Sequence, residues 1–161
     1  MSIDLPQLTQ SVAQLSREVG AFILQEVGRV RQEDIQEKDL NSLVSYVDQE
    51  AERRIVAGLQ ARLPTAAFLT EEATVAQTMA PQRWIVDPLD GTTNFLFGLP
   101  CFAVSIALEV DGELVLGVVY EPNRDECFTA WQGGGAYCNE LPMRVRQSPN
   151  LAQALLSTGF P

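Results

Sequence analysis

The sequence predicts a layered α/β domain in which helices pack on a largely antiparallel sheet. Up to Pro64, apolar residues recur every three or four positions, which is the period of one helical face, whereas beyond Pro64 they form short runs typical of strands. The dipeptide Asp111-Gly112 separates two of these runs, and both of its residues tolerate the positive φ of a tight hairpin. Helices followed by antiparallel strands indicate a single layered domain over residues 1–161.

Two helices are predicted in the part of the chain before Pro64. The first starts after Asp4, a residue type that caps helices with its side chain, and the second covers residues 48–63, where Pro64 stops it. The charged segment 31–40 between them has no apolar period, so we expect an exposed connecting loop. The apolar face of the first helix consists of Leu8, Val12, Leu15, Val19, Phe22, Ile23, Val27 and Val30.

The runs beyond Pro64 predict a series of strands. Three consecutive glycines at 133–135 are predicted to form a turn, because they lack the G-x-x-x-x-G-K-S/T pattern of a phosphate-binding loop. A further apolar run at 154–161 ends the sequence, and either a partner covers this edge or the natural chain continues. The predicted strands are 67–69, 84–86, 102–110, 114–120, 126–131 and 136–138.

The charge of the chain restricts its partners. Its 11 basic and 21 acidic residues give a net charge of −10. Nucleic acid would be repelled by this charge, so we expect no nucleic-acid partner. A phosphate-bearing ligand would need bound cations between itself and the protein, because carboxylates and phosphate repel each other.

The absence of histidine restricts the chemistry. It excludes Ser-His and Cys-His nucleophile pairs and imidazole-containing zinc sites, and it leaves hard oxygen ligands. Cys101, Cys127 and Cys138 are odd in number and widely spaced, which indicates buried thiols in a reducing compartment rather than disulfides or metal ligands. The N-terminus does not resemble a leader and no apolar stretch reaches about 18 residues, so we predict a cytoplasmic protein without membrane association.

A dense acidic segment follows the second predicted strand. Asp87 is expected at the end of that strand, and Asp90-Gly91 is predicted to turn the chain toward a short segment that Thr92 or Thr93 caps. Carboxylates held this close raise each other's pKa, and a divalent cation between them removes the repulsion. The backbone N–H groups of Gly91 and Thr92 would point at an anion. The same residues also make a good turn and cap, so a purely structural interpretation stays open at this point.

A second acidic element follows another predicted strand. Glu71 and Glu72 come directly after the run Phe68-Leu69-Thr70. An adjacent acidic pair usually belongs to a solvated loop. Two strand ends that both finish in acidic residues, however, favour a shared metal cluster over two coincidences.

These segments resemble the signature of the inositol monophosphatase family. The match is carried by D-P-L-D-G-T-T-N-F at 87–95, with W-I-V before it and F-A-V-S-I-A-L at 102–108 after it. The resemblance implies the fold of the Mg²⁺-dependent, lithium-sensitive sugar phosphatases, of which this chain would be the N-terminal part, incomplete at its C-terminus. Further matches in the same order lie at 47–52, 63–64, 69–72, 117–122 and 135–139.

The resemblance also implies roles for individual residues. The implied Mg²⁺ ligands are the carboxylates of Glu71, Asp87 and Asp90 and the backbone carbonyl of Leu89. The implied substrate contacts are Glu71, Leu89, Gly91 and Thr92. Hard oxygen ligands of this kind favour Mg²⁺ over zinc.

A catalytic pair is implied as well. Thr92 and Asp48 would orient and deprotonate the water that attacks phosphorus, and Glu72 would lie behind the metal ligands. This chemistry needs no histidine, because a divalent metal lowers the pKa of bound water.

The implied activity is Mg²⁺-dependent hydrolysis of a phosphate monoester of a small polyol, with inositol 1-phosphate as the first candidate and a homodimer as the complete protein. A 3′-nucleotidase, fructose-bisphosphatase or histidinol-phosphatase would keep the same metal motif, and a non-catalytic module is the alternative from another class. Two departures from the family pattern bear on this choice. Residues 42–45 read S-L-V-S where the family commonly has D-x-V-T, and the sequence ends before the family's W-D-x-A-A-G motif, which supplies another metal-binding aspartate.

Overall fold

The computed structural model describes residues 3–39 and 42–145, together with single residues at 150, 152, 154, 155 and 157. The helices in this part of the chain are α1 (Leu5–Glu26), α2 (Tyr46–Arg62) and α3 (Thr92–Leu96). The strands are β1 (Gln36–Asp39), β2 (Ser42–Val44), β3 (Ala67–Thr70), β4 (Gln82–Asp90), β5 (Ala103–Val110), β6 (Glu113–Glu121), β7 (Glu126–Trp131), β8 (Gly135–Cys138) and β9 (Leu141–Met143).

Helix α1 begins at its predicted cap. The Asp4 side chain accepts a hydrogen bond at 3.1 Å from the backbone N–H three residues further on. The helix ends at Glu26, because Val27 leaves the helical backbone angles and Gly28 takes φ +73°. The helix is therefore shorter than predicted from the apolar spacing, which continues to Val30. Its buried apolar face consists of Val12, Ala13, Leu15, Val19 and Ile23.

The segment predicted as a loop forms regular structure instead. A 3₁₀ turn covers Gln32–Asp34, and β1 then pairs antiparallel with β2, with Gln36 opposite Val44. Residues 40–41 between the two strands lie outside the described part of the chain. The prediction was wrong because backbone hydrogen bonds hold a two-stranded hairpin, and a charged sequence without apolar alternation can still form them.

Helix α2 has a capping box at its N-terminus. The Ser45 hydroxyl accepts a hydrogen bond from Val47 N at 3.2 Å, and the Asp48 side chain accepts one from Ser45 N at 2.8 Å. The helix thus starts two residues before Asp48 and places this carboxylate in its first turn. It ends at Arg62, two residues before Pro64, close to the predicted end.

The main sheet has seven strands in the order β3-β4-β5-β6-β7-β8-β9. Strands β3 and β4 run parallel, and every later pair is antiparallel, which confirms the predicted fold class. Asp111 and Gly112 form the β5–β6 turn with φ +51° and +85°, as predicted. Gly133 and Gly134 lie in the predicted turn, where Gly133 has φ +81°, and Gly135 already begins β8 with φ +88°. Strand β9 was not predicted.

The core lies between the helices and one face of this sheet. Helix α1 packs against β5, β6 and β7, and α2 packs against β4 and α1. Side chains of the sheet that face the helices are almost fully buried, and they include Phe68, Trp84, Val86, Val104, Ile106, Leu108 and Val118. This packing fixes where the C-terminal ends of β3 and β4 lie relative to the helices.

No helix among the described residues is both long enough and apolar enough to cross a bilayer. The strand-like run predicted at 154–161 falls largely outside the described residues.

Candidate active site

The ends of the two parallel strands bring the predicted acidic residues together. Thr70 pairs with Val86, and the backbone N–H of Glu71 donates to the Val86 carbonyl at 3.1 Å, which extends the register by one residue. Val86 is buried against the helices, so its successor Asp87 faces the other side of the sheet, and Glu71 shares that side. The Glu71 and Asp87 side chains are in hydrogen-bond contact there.

Strand β4 does not end at Asp87, as predicted, but continues to Asp90. Asp87 pairs with Ser105 and Asp90 pairs with Ala103, so β4 contains one residue more than β5 across this interval. Such a bulge bends the strand and turns side chains away from their regular alternation. Leu89 is consequently buried at 1% exposed, while Asp90 is exposed at the strand end.

Gly91 makes the turn from β4 into α3. Its φ of +93° lies in the left-handed region, and a Cβ added at this position would lie 2.9 Å from the Cys101 carbonyl oxygen and 3.3 Å from Phe102 Cα. Only glycine fits such a position without a shift of the neighbouring backbone. Gly91 is also the N-cap of α3, and no side chain caps this helix. The prediction that Thr92 or Thr93 caps the segment was therefore wrong.

The Thr92 hydroxyl is directed at α2 instead. Thr92 Oγ1 lies 2.8 Å from Asp48 Oδ1 and 3.0 Å from the Leu89 carbonyl oxygen. A hydroxyl has one proton to donate, and a carboxylate is a stronger acceptor than a backbone carbonyl. The Thr92 hydroxyl therefore donates to Asp48. Asp48 Oδ2 in turn accepts hydrogen bonds from the backbone N–H and the hydroxyl of Ser45, at 2.8 and 2.7 Å. Asp48 is 1% exposed, so these bonds fix its orientation inside the protein.

The pKa of Asp87 is raised by its surroundings in the site. Burial, the hydrogen-bond contact with Glu71 and the negative charges of Glu71 and Asp90 raise the pKa of Asp87 from 3.8 to about 8. The Leu89 N–H, which donates to Asp87 Oδ1 at 3.2 Å, lowers this pKa by less than the other groups raise it. Ionisation of Asp87 at this edge of the sheet is therefore unfavourable unless a cation is present.

A hard divalent cation fits this donor set. The carboxyl groups of Glu71 and Asp87 are in contact, and that of Asp90 is close enough to act electrostatically on Asp87. The Leu89 carbonyl lies between Asp87 and Asp90 in the sequence. Carboxylate and carbonyl oxygens are the ligands that Mg²⁺ prefers. Among the described residues, however, no three acidic or thiol side chains already form a ready-made metal centre. The structure thus brings Glu71 and Asp87 together and leaves Asp90 beside them rather than in a closed cluster.

Sequence reasoning missed the residues that hold these loops. Ser45 orients Asp48, and the buried carboxylate of Glu52 binds the loop that carries Glu71 and Glu72. A signal for Glu52 was present, because an acidic residue four positions after Asp48 lies on the same helical face as Ala51 and Ile55, which are fully buried.

The fold and site define a mixed α/β protein with an acidic site at the ends of two parallel strands. A family model described as the inositol monophosphatase family matches residues 4–161. The chain belongs to the inositol monophosphatase family.

Individual relatives agree with this assignment. The inositol-1-monophosphatase of Rhizobium meliloti is 44% identical over 143 residues, which are 88% of this chain and 54% of the relative. The Nus factor SuhB of Pseudomonas aeruginosa is 43% identical over 149 residues, covering 91% and 55% of the two chains. A crystal structure of the extragenic suppressor protein suhB from Bartonella henselae is 40% identical with a TM-score of 0.84, covering 90% of this chain and 57% of that one. The chain spans about half the length of the curated relatives it matches.

Proposed function

We propose that this chain carries the metal-binding and water-activating residues of a Mg²⁺-dependent phosphatase that hydrolyses a phosphate monoester of a small polyol. Inositol 1-phosphate is the first candidate substrate, because the Rhizobium meliloti relative is named an inositol-1-monophosphatase. The observation that carries the proposal is the contact between Glu71 and Asp87, with Asp90 close by, at the strand ends next to the Thr92–Asp48 hydrogen bond.

The carboxylates of Glu71, Asp87 and Asp90 and the carbonyl of Leu89 are the proposed ligands of Mg²⁺. The pKa of Asp87, raised to about 8 by burial and by neighbouring carboxylates, supports this role, since a cation would offset the repulsion in the group. When bound, Mg²⁺ would supply Lewis acidity toward water and phosphate and would neutralise charge on the phosphoryl oxygens.

Thr92 and Asp48 are the proposed water-orienting pair. Thr92 Oγ1 donates its proton to Asp48 Oδ1, so the lone pairs of the hydroxyl oxygen stay available to accept an O–H from water. Asp48 is held by Ser45 and is buried, which keeps the Thr92 hydroxyl in one orientation. A proton leaving the attacking water would pass to Thr92 Oγ1 while the Thr92 proton moves to Asp48 Oδ1.

The turn after β4 is proposed to hold the phosphate. The first amides of a helix have no acceptor within the helix, and the left-handed Gly91 directs the chain into α3 at this point. The backbone N–H groups of Gly91 and Thr92 would then donate to phosphoryl oxygens, and the exposed carboxylate of Glu71 would approach the same group through a cation.

A non-catalytic role is the second candidate. It is favoured by the Pseudomonas aeruginosa relative, which is named a Nus factor and is nearly as similar to this chain as the Rhizobium meliloti phosphatase. The two candidates differ in whether metal binding leads to turnover.

Phosphate release from inositol 1-phosphate by the complete protein across a Mg²⁺ titration tests the proposal, with direct Mn²⁺ binding measured in parallel. We expect Mg²⁺-dependent release that Asp87→Asn abolishes and that exceeds release from adenosine 3′-phosphate, fructose 1,6-bisphosphate and histidinol phosphate. Glu109→Gln is the matched control, because Glu109 is paired with Arg83 and lies elsewhere on the sheet. Metal binding without release from any of these substrates would favour the non-catalytic role, and an Asp87→Asn variant with wild-type metal affinity would remove the ligand assignment.

A further inference from the structure

Helix α2 carries a second buried carboxylate, Glu52, which the proposed mechanism does not use. It lies one helical turn after Asp48 and is 0% exposed. All its side-chain hydrogen bonds described in the structure go to the last residue of β3 and to the loop that follows this strand. Buried polar groups are normally hydrogen-bonded, and the partners of Glu52 indicate which part of the chain this carboxylate holds.

The hydrogen bonds of Glu52 use both carboxylate oxygens. Oε1 accepts from the Thr70 hydroxyl at 2.8 Å and from the backbone N–H and the hydroxyl of Thr74, both at 2.6 Å. Oε2 accepts from the Glu72 N–H at 2.7 Å. A backbone N–H can only donate, so both oxygens act as acceptors, as those of an ionised carboxylate do. These bonds offset much of the cost of burying the charge.

The groups that donate hydrogen bonds to Glu52 lie before and after Glu71 in the sequence. Thr70 precedes Glu71 and faces α2, and its backbone N–H also donates to the Gln77 side chain at 2.8 Å. Ala73, between the two bonded amides, has φ +50°, a left-handed conformation that is unfavourable for a residue with a Cβ. Such conformations persist where the surrounding contacts hold them. Glu52 supplies contacts on either side of this residue.

We infer that Glu52 is a positioning residue for the metal site, which holds the loop so that Glu71 stays beside Asp87. This inference rests on the proposed role of Glu71 as a metal ligand. Thr70 and Glu71 point to opposite faces of the sheet, so fixing Thr70 from the helix side leaves the Glu71 backbone little freedom on the other side. Helix α2 then supports both acidic segments of the site, through Asp48 on Thr92 and through Glu52 on the loop after β3.

The substitution Glu52→Gln tests this role. Glutamine retains the size of the side chain, but its NH₂ group would face a backbone N–H of the loop, and two donors cannot bond each other. We expect faster hydrogen–deuterium exchange at the amides of residues 72 and 74. The dissociation constant for Mn²⁺, followed by electron paramagnetic resonance on the 161-residue chain, should rise about tenfold or more, as it does when groups that orient metal ligands are lost.

Two controls separate positioning from loss of stability and from failure of the metal assignment. Leu59→Ala removes a fully buried side chain about two turns after Glu52 on α2, so it should lower Tm without changing the Mn²⁺ affinity. Glu71→Gln should weaken Mn²⁺ binding directly.

The outcomes are distinct. Weak binding in both Glu71→Gln and Glu52→Gln, with normal binding in Leu59→Ala, supports the inference. Normal binding in Glu52→Gln with weak binding in Glu71→Gln overturns it and leaves the proposed function intact. Normal binding in Glu71→Gln, or no Mn²⁺ binding by the wild type, removes the metal assignment and this inference with it. If Glu52→Gln does not fold, Glu52→Asp replaces it, since aspartate keeps both acceptors but falls short by one methylene, and the same outcomes apply.

Discussion

Thr92 Oγ1 lies 2.8 Å from Asp48 Oδ1, although 44 positions separate the two residues in the sequence. This hydrogen bond joins the first turn of α2 to the first turn of α3 and sets the hydroxyl at the edge of the acidic site. It is the contact in the site whose chemical role can be tested most directly, because the threonine hydroxyl can be deleted without removing a charge.

In the complete protein, Thr92→Ala is expected to lower kcat by about a hundredfold or more, the scale of a lost proton-transfer group, while the affinity for Mg²⁺ stays nearly unchanged. The reason is that this hydroxyl is proposed to orient water and belongs to no proposed metal ligand. Steady-state hydrolysis of inositol 1-phosphate across a Mg²⁺ titration measures both quantities. Thr93→Ala is the matched control, since Thr93 is adjacent but exposed, and it should retain wild-type kcat. A Thr92→Ala protein with wild-type kcat would remove the pair from the mechanism.

Mg²⁺ is expected to raise the Tm of the wild-type chain. A ligand that binds only the folded state stabilises it by mass action, which amounts to about 2.7 kcal/mol at a hundredfold excess over the dissociation constant. Asp90→Asn should reduce the shift because it removes one proposed ligand. Thermal melts at increasing Mg²⁺ concentration measure this effect. Equal shifts in the wild type and in Asp90→Asn would place the binding ion elsewhere.

Local signals in the sequence predicted much of the fold. Asp4 predicted the start of α1 because a short acidic side chain can accept from the free amides of a first turn, and Asp111-Gly112 predicted a hairpin because the turn needs positive φ. The end of α1 was missed although Gly28 signals it. A glycine in the left-handed conformation just past a helix end is a common stop, and the apolar spacing to Val30 concealed it.

The site was harder to predict than the fold, for a physical reason. The sequence shows that acidic residues follow two strands, but it does not show that these strands are parallel neighbours whose register sets Glu71 beside Asp87. The β4 bulge that exposes Asp90 also depends on pairing with β5, which local sequence does not determine. The hydrogen bonds of Glu52 likewise depend on how α2 packs over β3, a tertiary contact.

Gly91→Ala is expected to destabilise the protein more than a left-handed backbone alone would. Its Cβ would meet the Cys101 carbonyl oxygen at 2.9 Å, and φ is +93°. Gly112→Ala is the matched control, because Gly112 has φ +85° but no atom within 4 Å of an added Cβ. The control should cost about 1–2 kcal/mol for the left-handed conformation.

Gly91→Ala should exceed that cost by about 1–3 kcal/mol for the overlap, and it should also displace the proposed phosphate amides and reduce turnover. Urea unfolding of both variants compares the free energies of unfolding. Equal decreases in the free energy of unfolding would show that the backbone at Cys101 moves away from the added Cβ without an energetic cost.

Without divalent cations, Asp87 should make the protein less stable as the pH rises from about 5 to 8. Its pKa is about 8 in the folded chain and near 3.8 when unfolded, so between these values the folded state binds the extra proton. Stability falls with pH wherever the folded state holds more protons, by at most about 1.4 kcal/mol per pH unit for one group. The stabilisation is therefore complete below pH 3.8 and is lost as the pH passes the folded pKa of about 8.

Asp87→Asn isolates this contribution, because asparagine keeps the shape of the side chain but does not titrate. We expect a flatter dependence of the free energy of unfolding on pH in the variant than in the wild type, measured by urea unfolding in EDTA between pH 5 and 8. Saturating Mg²⁺ should remove the difference in slope by holding Asp87 ionised in the folded wild type. Parallel slopes in EDTA would mean that the carboxylates at the strand ends do not share a proton, and the like-charge crowding inferred at Glu71 and Asp87 would then be wrong.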